Sequence, residues 1–147
     1  MKRNKIFCAA LLSAAVFAAM VGCSGENYSI EDKEWRFSTL QNTSDGKVLY
    51  CSEELSRNWP EAEILDMNCA ATDGTITIVS GEREWSGTYE KYGAEAVGTS
   101  LYRADFEGVE AFLTVGATEY ADGTRTETLI VSGGEYTLHF IASPDIQ

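Results

Sequence analysis

The sequence predicts an all-β fold: an antiparallel up-and-down β-barrel of about eight strands with one short helix. Three observations predict it. Apolar and polar residues alternate with period two from residue 64 onward. Turn pairs containing glycine recur between the alternating stretches. A meander of this many hairpins removes its exposed edges most simply by closing on itself. With only Pro60 and Pro144 and no internal repeat, the chain reads as one domain after its leader.

The leader comes first. Lys2, Arg3 and Lys5 precede an apolar run from Ile6 to Val21, which ends in Met20-Val21-Gly22-Cys23. A charged start, a short apolar stretch and a small residue before cysteine mark residues 1–22 as a lipoprotein signal peptide, with Cys23 as the lipidated residue. The run is shorter than the roughly 20 apolar residues that span a bilayer. Two acyl chains on Cys23 would hold the protein at the membrane. The expected location is therefore the cell membrane, lipid-anchored, on its extracytoplasmic face. Residues 23–33 are polar and are expected to form a flexible tether, up to roughly 36 Å when extended.

Residues 34–143 are expected to form the barrel and 144–147 a tail. The first strand, 34–41, opens on Trp35, and Asp45-Gly46 turns the chain into 47–51. Ser52-Glu53-Glu54 resembles a helix N-cap followed by acidic first-turn residues, so a short helix is expected over Glu53 to Asn58, limited by Pro60. Strands follow at 63–71 and 75–80 around Asp73-Gly74, then at 84–90, where Trp85, Gly87 and Tyr89 share one face. Lys91 to Ser100 is rich in small residues and reads as a loop. Strands 100–107 and 110–119 flank Glu107-Gly108. Strands 125–132 and 135–141 follow Asp122-Gly123 and flank Gly133-Gly134. In the last strand Tyr136, Leu138 and Phe140 face in, and His139 faces out.

Of four cysteines, Cys8 leaves with the leader and Cys23 is acylated. Cys51 and Cys69 remain in a compartment where thiols oxidise, and a disulfide between them is expected. Such a loop would contribute about 3 kcal/mol; two buried free thiols are the alternative.

The charge balance excludes one class of partner. Three of the 11 basic residues precede Cys23 and all 23 acidic residues follow it, leaving 8 against 23, a net −15. Such a body repels the phosphates of nucleic acid. No catalytic set emerges: His139 stands alone, and Glu82, Glu84 and Glu90 lie on the face opposite Trp85 and Tyr89. Asp66, Asn68 and Asp73 lack the ordered spacing of a calcium loop. The reading is a non-enzyme without cofactor or metal.

Several segments together resemble a known class: Trp35 at the first strand, Ile64-Leu65-Asp66-Met67 leading through Asp73-Gly74 to Thr75-Ile76-Thr77-Ile78, Trp85-Ser86-Gly87-Thr88-Tyr89-Glu90, Leu129-Ile130-Val131 and Glu135-Tyr136-Thr137-Leu138-His139-Phe140. They are similar to the small lipocalin-like, calycin-type lipoproteins of bacteria. The resemblance implies a cupped barrel that holds a small apolar molecule. Trp35, Tyr50, Trp85, Tyr89, Tyr102, Phe106, Tyr136 and Phe140 are the candidate ligand-binding residues, although a barrel core needs the same aromatic bulk. The expected function is binding a small hydrophobic ligand or an envelope component by a monomer whose fixed partner is the membrane. The alternative is a structural or protein-interaction module that has a filled interior and engages an envelope protein through its acidic exterior.

Overall fold

The computed structural model describes residues 28–92 and 98–143. The expected signal peptide, Cys23 and the 144–147 tail lie outside the described residues. Ten strands follow one another: β1 (Glu34–Asn42), β2 (Val48–Cys51), β3 (Glu63–Ile64), β4 (Asn68–Thr72), β5 (Thr75–Ser80), β6 (Arg83–Lys91), β7 (Ser100–Phe106), β8 (Val109–Glu119), β9 (Arg125–Gly133) and β10 (Tyr136–Ala142). Each of β4 to β9 pairs antiparallel with its successor, and β1 joins the ends by pairing with both β10 and β4. The result is a closed eight-stranded barrel of β1 and β4 to β10, compatible with a lipocalin-like fold.

β1 has three partners because it bulges. Glu34 to Arg36 pair with Asn68 to Ala70 of β4. Phe37 then lies opposite Phe140 and Thr39 opposite His139, so Ser38 is the extra residue of a bulge in the β10 pairing. Beyond it, Thr39 to Gln41 pair with β2, which adds β3 in parallel. The predicted strand 63–71 is accordingly two: Glu63–Ile64 serves β2, Asn68–Thr72 serves β1 and β5, and Leu65 to Met67 cross between them. The expected helix is a single 3-10 turn, Glu53–Leu55, and Ser52 makes no side-chain cap. An exposed turn of three residues has too few hydrogen bonds to extend itself.

The interior follows the two-residue rhythm. Trp35, Phe37, Ile76, Leu113, Val115, Leu129 and Phe140 point inward and are buried, and the Phe37 and Phe140 rings meet edge to face at 6.1 Å. Trp35, Ile76, Leu113, Val115, Leu129 and Phe140 have 0% accessible surface. No water-sized space touches these six side chains. Each such side chain stabilises the fold by about 1.5–3 kcal/mol.

Asp73-Gly74 and Glu107-Gly108 both form two-residue turns with positive φ at each position (50° and 82°, 54° and 92°), the geometry that matches strand twist. The Gly133-Gly134 expectation shifts by one residue. Gly133 ends β9 against Ala111, while Gly134 and Glu135 make the turn.

Three other expectations are corrected. Trp85 and Tyr136 are 40% and 44% exposed rather than interior. β7 pairs with β6 only over Thr88 to Lys91, so Trp85 sits on a part of β6 beyond the reach of β7; Tyr136 sits beside the β9–β10 turn, opposite Gly133. Cys51 and Cys69 are free thiols. Cys69 lies opposite Trp35 and Cys51 opposite Thr39, which separates them by roughly 10–13 Å of strand, too far for a disulfide. Burial raises both thiol pKa values, that of Cys69 to about 12.

His139 is on the outer face but is not a solvated surface histidine. It is half-buried between Thr39 and Ile130, its Nε2 has no hydrogen-bond partner, and desolvation lowers its pKa. The unfolded chain titrates near the ordinary 6.5, so below that pH it holds more protons than the folded chain. Stability from this residue is present above pH 6.5 and is lost as pH falls toward the depressed folded value. His139→Gln should therefore flatten the fall in Tm between pH 7.5 and 5.5. Identical slopes in the two proteins would contradict this.

Candidate functional site

Two places can be asked whether they hold a ligand: the barrel interior and a cleft on its flank. In the interior, the predicted residues Trp35, Tyr102 and Phe140 do come together, but as core. Tyr89 meets Tyr102 edge to face at 5.6 Å, and Tyr50 and Phe106 pack against the same core from partly buried positions. Trp35, Tyr102 and Phe140 belong to the core, Tyr50, Tyr89 and Phe106 pack at its margin, and Trp85 and Tyr136 stand apart from them.

One barrel end is also closed by the chain itself. Tyr28 and Ile30 are buried, at 9% and 0% exposure. The Trp35 indole Nε1–H donates to the Ile30 carbonyl at 3.0 Å. The Tyr89 hydroxyl donates to Glu31, the Arg125 guanidinium donates to the Tyr28 hydroxyl, and Lys33 pairs with Glu127. Burial and the Glu31 carboxylate push the Tyr89 phenol well above its usual range, so it stays a donor. The expected 23–33 tether is corrected: residues 28–33 form a plug bound to β1, β6 and β9. Alternating apolar residues at Tyr28 and Ile30 carried that signal in the sequence.

The cleft lies where β1 leaves β4 for β2. The bulge at Ser38, the 3-10 turn and the Leu65–Met67 crossover enclose about 660 Å³, within the range of about 300–1,000 Å³ usual for small-molecule sites. Its apolar lining is Leu55, Ile64, Leu65 and Ile141, backed by the buried core residues Phe37 and Met67, with Ile64 58% exposed. Polar groups sit among them. Arg36 bridges to Glu54 at 3.3 Å yet keeps a buried Nε with no hydrogen-bond partner, and Arg57, Glu53 and Asp66 also face the cleft. Exposed apolar side chains set among charged and polar groups suit a ligand with an apolar body and a polar end.

Sequence reasoning missed this cleft because its residues fall on three expected strands and a helix, with 63–71 read as one continuous strand. A signal was available: Ile64 and Leu65 are adjacent apolar residues, which in period two puts one of them outside.

A second hollow on β6 and β7, about 410 Å³, is lined by Glu90, Arg103, Asp105 and Glu110. Arg103 reaches Glu90 at 3.2 Å and Glu110 at 3.8 Å, an exposed ion-pair network of small energetic weight. Among the described residues no group of three or more His, Cys, Asp or Glu is placed to hold a metal ion, and no helix is long and apolar enough to cross a membrane. Comparison with protein-family models, with curated proteins and with solved structures finds no match for this chain.

Proposed function

We propose that this protein is a non-enzymatic, lipid-anchored binding protein on the extracytoplasmic face of the cell membrane, related to lipocalin-like lipoproteins, and that it takes a small hydrophobic ligand or apolar envelope component into the flank cleft. The observation that carries the reading is a cleft of about 660 Å³ on the barrel flank, where Leu55, Ile64, Leu65 and Ile141 stand among charged residues. The leader sequence and Cys23 support the anchor. A second reading, a module that binds an envelope protein through its exterior, is favoured by the buried aromatic core and the plug.

A chain beginning at Ser24, titrated with the apolar fluorophore N-phenyl-1-naphthylamine, should give a saturable rise in emission. Ile64→Glu, at an exposed position that does not carry the core, should weaken binding at least tenfold and leave Tm nearly unchanged. Unaltered affinity in that variant, or no saturable binding in the parent, would favour the second reading.

A further inference from the structure

The plug fixes more than the barrel end. Resting on the Cys23 anchor proposed above, we infer that the plugged end of the barrel faces the bilayer and that the β8–β9 hairpin, with Tyr120 at its tip, meets the lipid headgroups.

The span of chain sets the geometry. Cys23 and Tyr28 are five residues apart, a reach of at most about 18 Å, and Tyr28 is already seated on the barrel beside Arg125. Arg125 is the first residue of β9, paired with Glu119 at the end of β8. The hairpin runs past its neighbours on both sides. β7 begins opposite Val115 and β10 pairs with β9 only as far as Thr128, so the pairs Thr118–Thr126 and Glu119–Arg125 extend beyond the paired parts of β7 and β10. Tyr120 at the tip is 50% exposed. Tyrosine suits a membrane interface, where its ring meets acyl chains and its hydroxyl meets headgroups and water.

The opposite turns lie a barrel length away. The Thr43 amide donates to the Glu135 carbonyl at 2.8 Å, joining the β1–β2 and β9–β10 turns at the far end. Strands of seven to nine residues, tilted as barrel strands are, place that end roughly 16–25 Å further from the anchor. A long tether would let the barrel tumble and present either end; this short one does not.

The test uses the full lipidated protein in phosphatidylcholine vesicles carrying a headgroup nitroxide. A fluorophore is placed on Ala121→Cys at the projecting tip or on Glu135→Cys at the far turn. Labelling is done on folded protein, where Cys51 and Cys69 are buried, with the parent as the labelling control. We expect quenching at residue 121 at least threefold stronger than at 135. A twenty-residue Gly-Ser insertion before Tyr28 should bring that ratio toward one. Protein that floats with the vesicles but is quenched equally at both sites, or more at 135, overturns the orientation alone. Protein that fails to float overturns the anchor, and the orientation with it.

Discussion

Replacing Trp35 by alanine should lower the unfolding free energy by about 3–5 kcal/mol and Tm by roughly 10–20 °C. The indole is the largest fully buried side chain among the described residues, at 0% exposure, and alanine would leave its volume as a cavity inside a closed wall that relaxes poorly. The loss has a second part. Trp35 Nε1–H is a donor to the Ile30 carbonyl, and removing it leaves that acceptor buried without its partner, at about 1–3 kcal/mol. Trp35→Phe separates the parts, because it restores most of the volume and none of the hydrogen bond. Urea unfolding of the three proteins measures this. A loss below about 1.5 kcal/mol for the alanine variant would mean that the barrel end is not packed as described.

Gly87→Ala should also destabilise, by about 1–3 kcal/mol, against the usual direction. A glycine inside a strand ordinarily costs about 0.5–1 kcal/mol relative to alanine, and adding a methyl should then help. Here a Cβ would lie 2.4 Å from the Asp105 carbonyl oxygen and 2.9 Å from Phe106 Cδ1. The carbonyl is backbone in the β6–β7 pairing and cannot rotate away, so β7 must move and the Phe106 ring must leave its place over the glycine. A shift of the urea midpoint to lower concentration, with an unchanged slope, is the expected result. A midpoint at or above the parent's would contradict the close approach.

Much of the barrel was legible in the sequence because a half-buried strand needs only a two-residue pattern and a turn needs only a residue that tolerates positive φ. Thr75–Ser80 has the predicted bounds, and the strands from Arg83 to Ala142 fall within one residue of theirs. Pattern alone fails where one stretch serves two partners. Glu63 to Thr72 reads as a single strand, but the bulge at Ser38 sends its two ends to β2 and to β1. Rim positions fail similarly. Trp85 obeys the inward rhythm and is exposed because β7 does not extend to cover it, which is a property of register and not of composition.

The site was less legible than the fold. Aromatic residues were read as lining a cup, and Trp35, Tyr102 and Phe140 do converge, but ring volume relative to barrel volume decides between lining and filling, and that ratio appears only in three dimensions. The cleft depends on Leu55, Ile64 and Leu65 meeting Arg36 across a bulge, an encounter between residues far apart along the chain that no local pattern encodes. The plug shows the opposite case. Tyr28 and Ile30 alternate in the sequence as strand-like residues do, and the polar residues around them masked the signal.

The central claim is that an apolar ligand is bound on the flank of the barrel and not inside it. Photolabelling of the folded protein with a long-chain alkyl diazirine, followed by peptide mass spectrometry, tests it most directly. Adducts confined to the segments bearing Leu55, Ile64 and Leu65 are predicted; adducts on Leu113, Val115 or Leu129 would place the ligand in the interior and contradict the account.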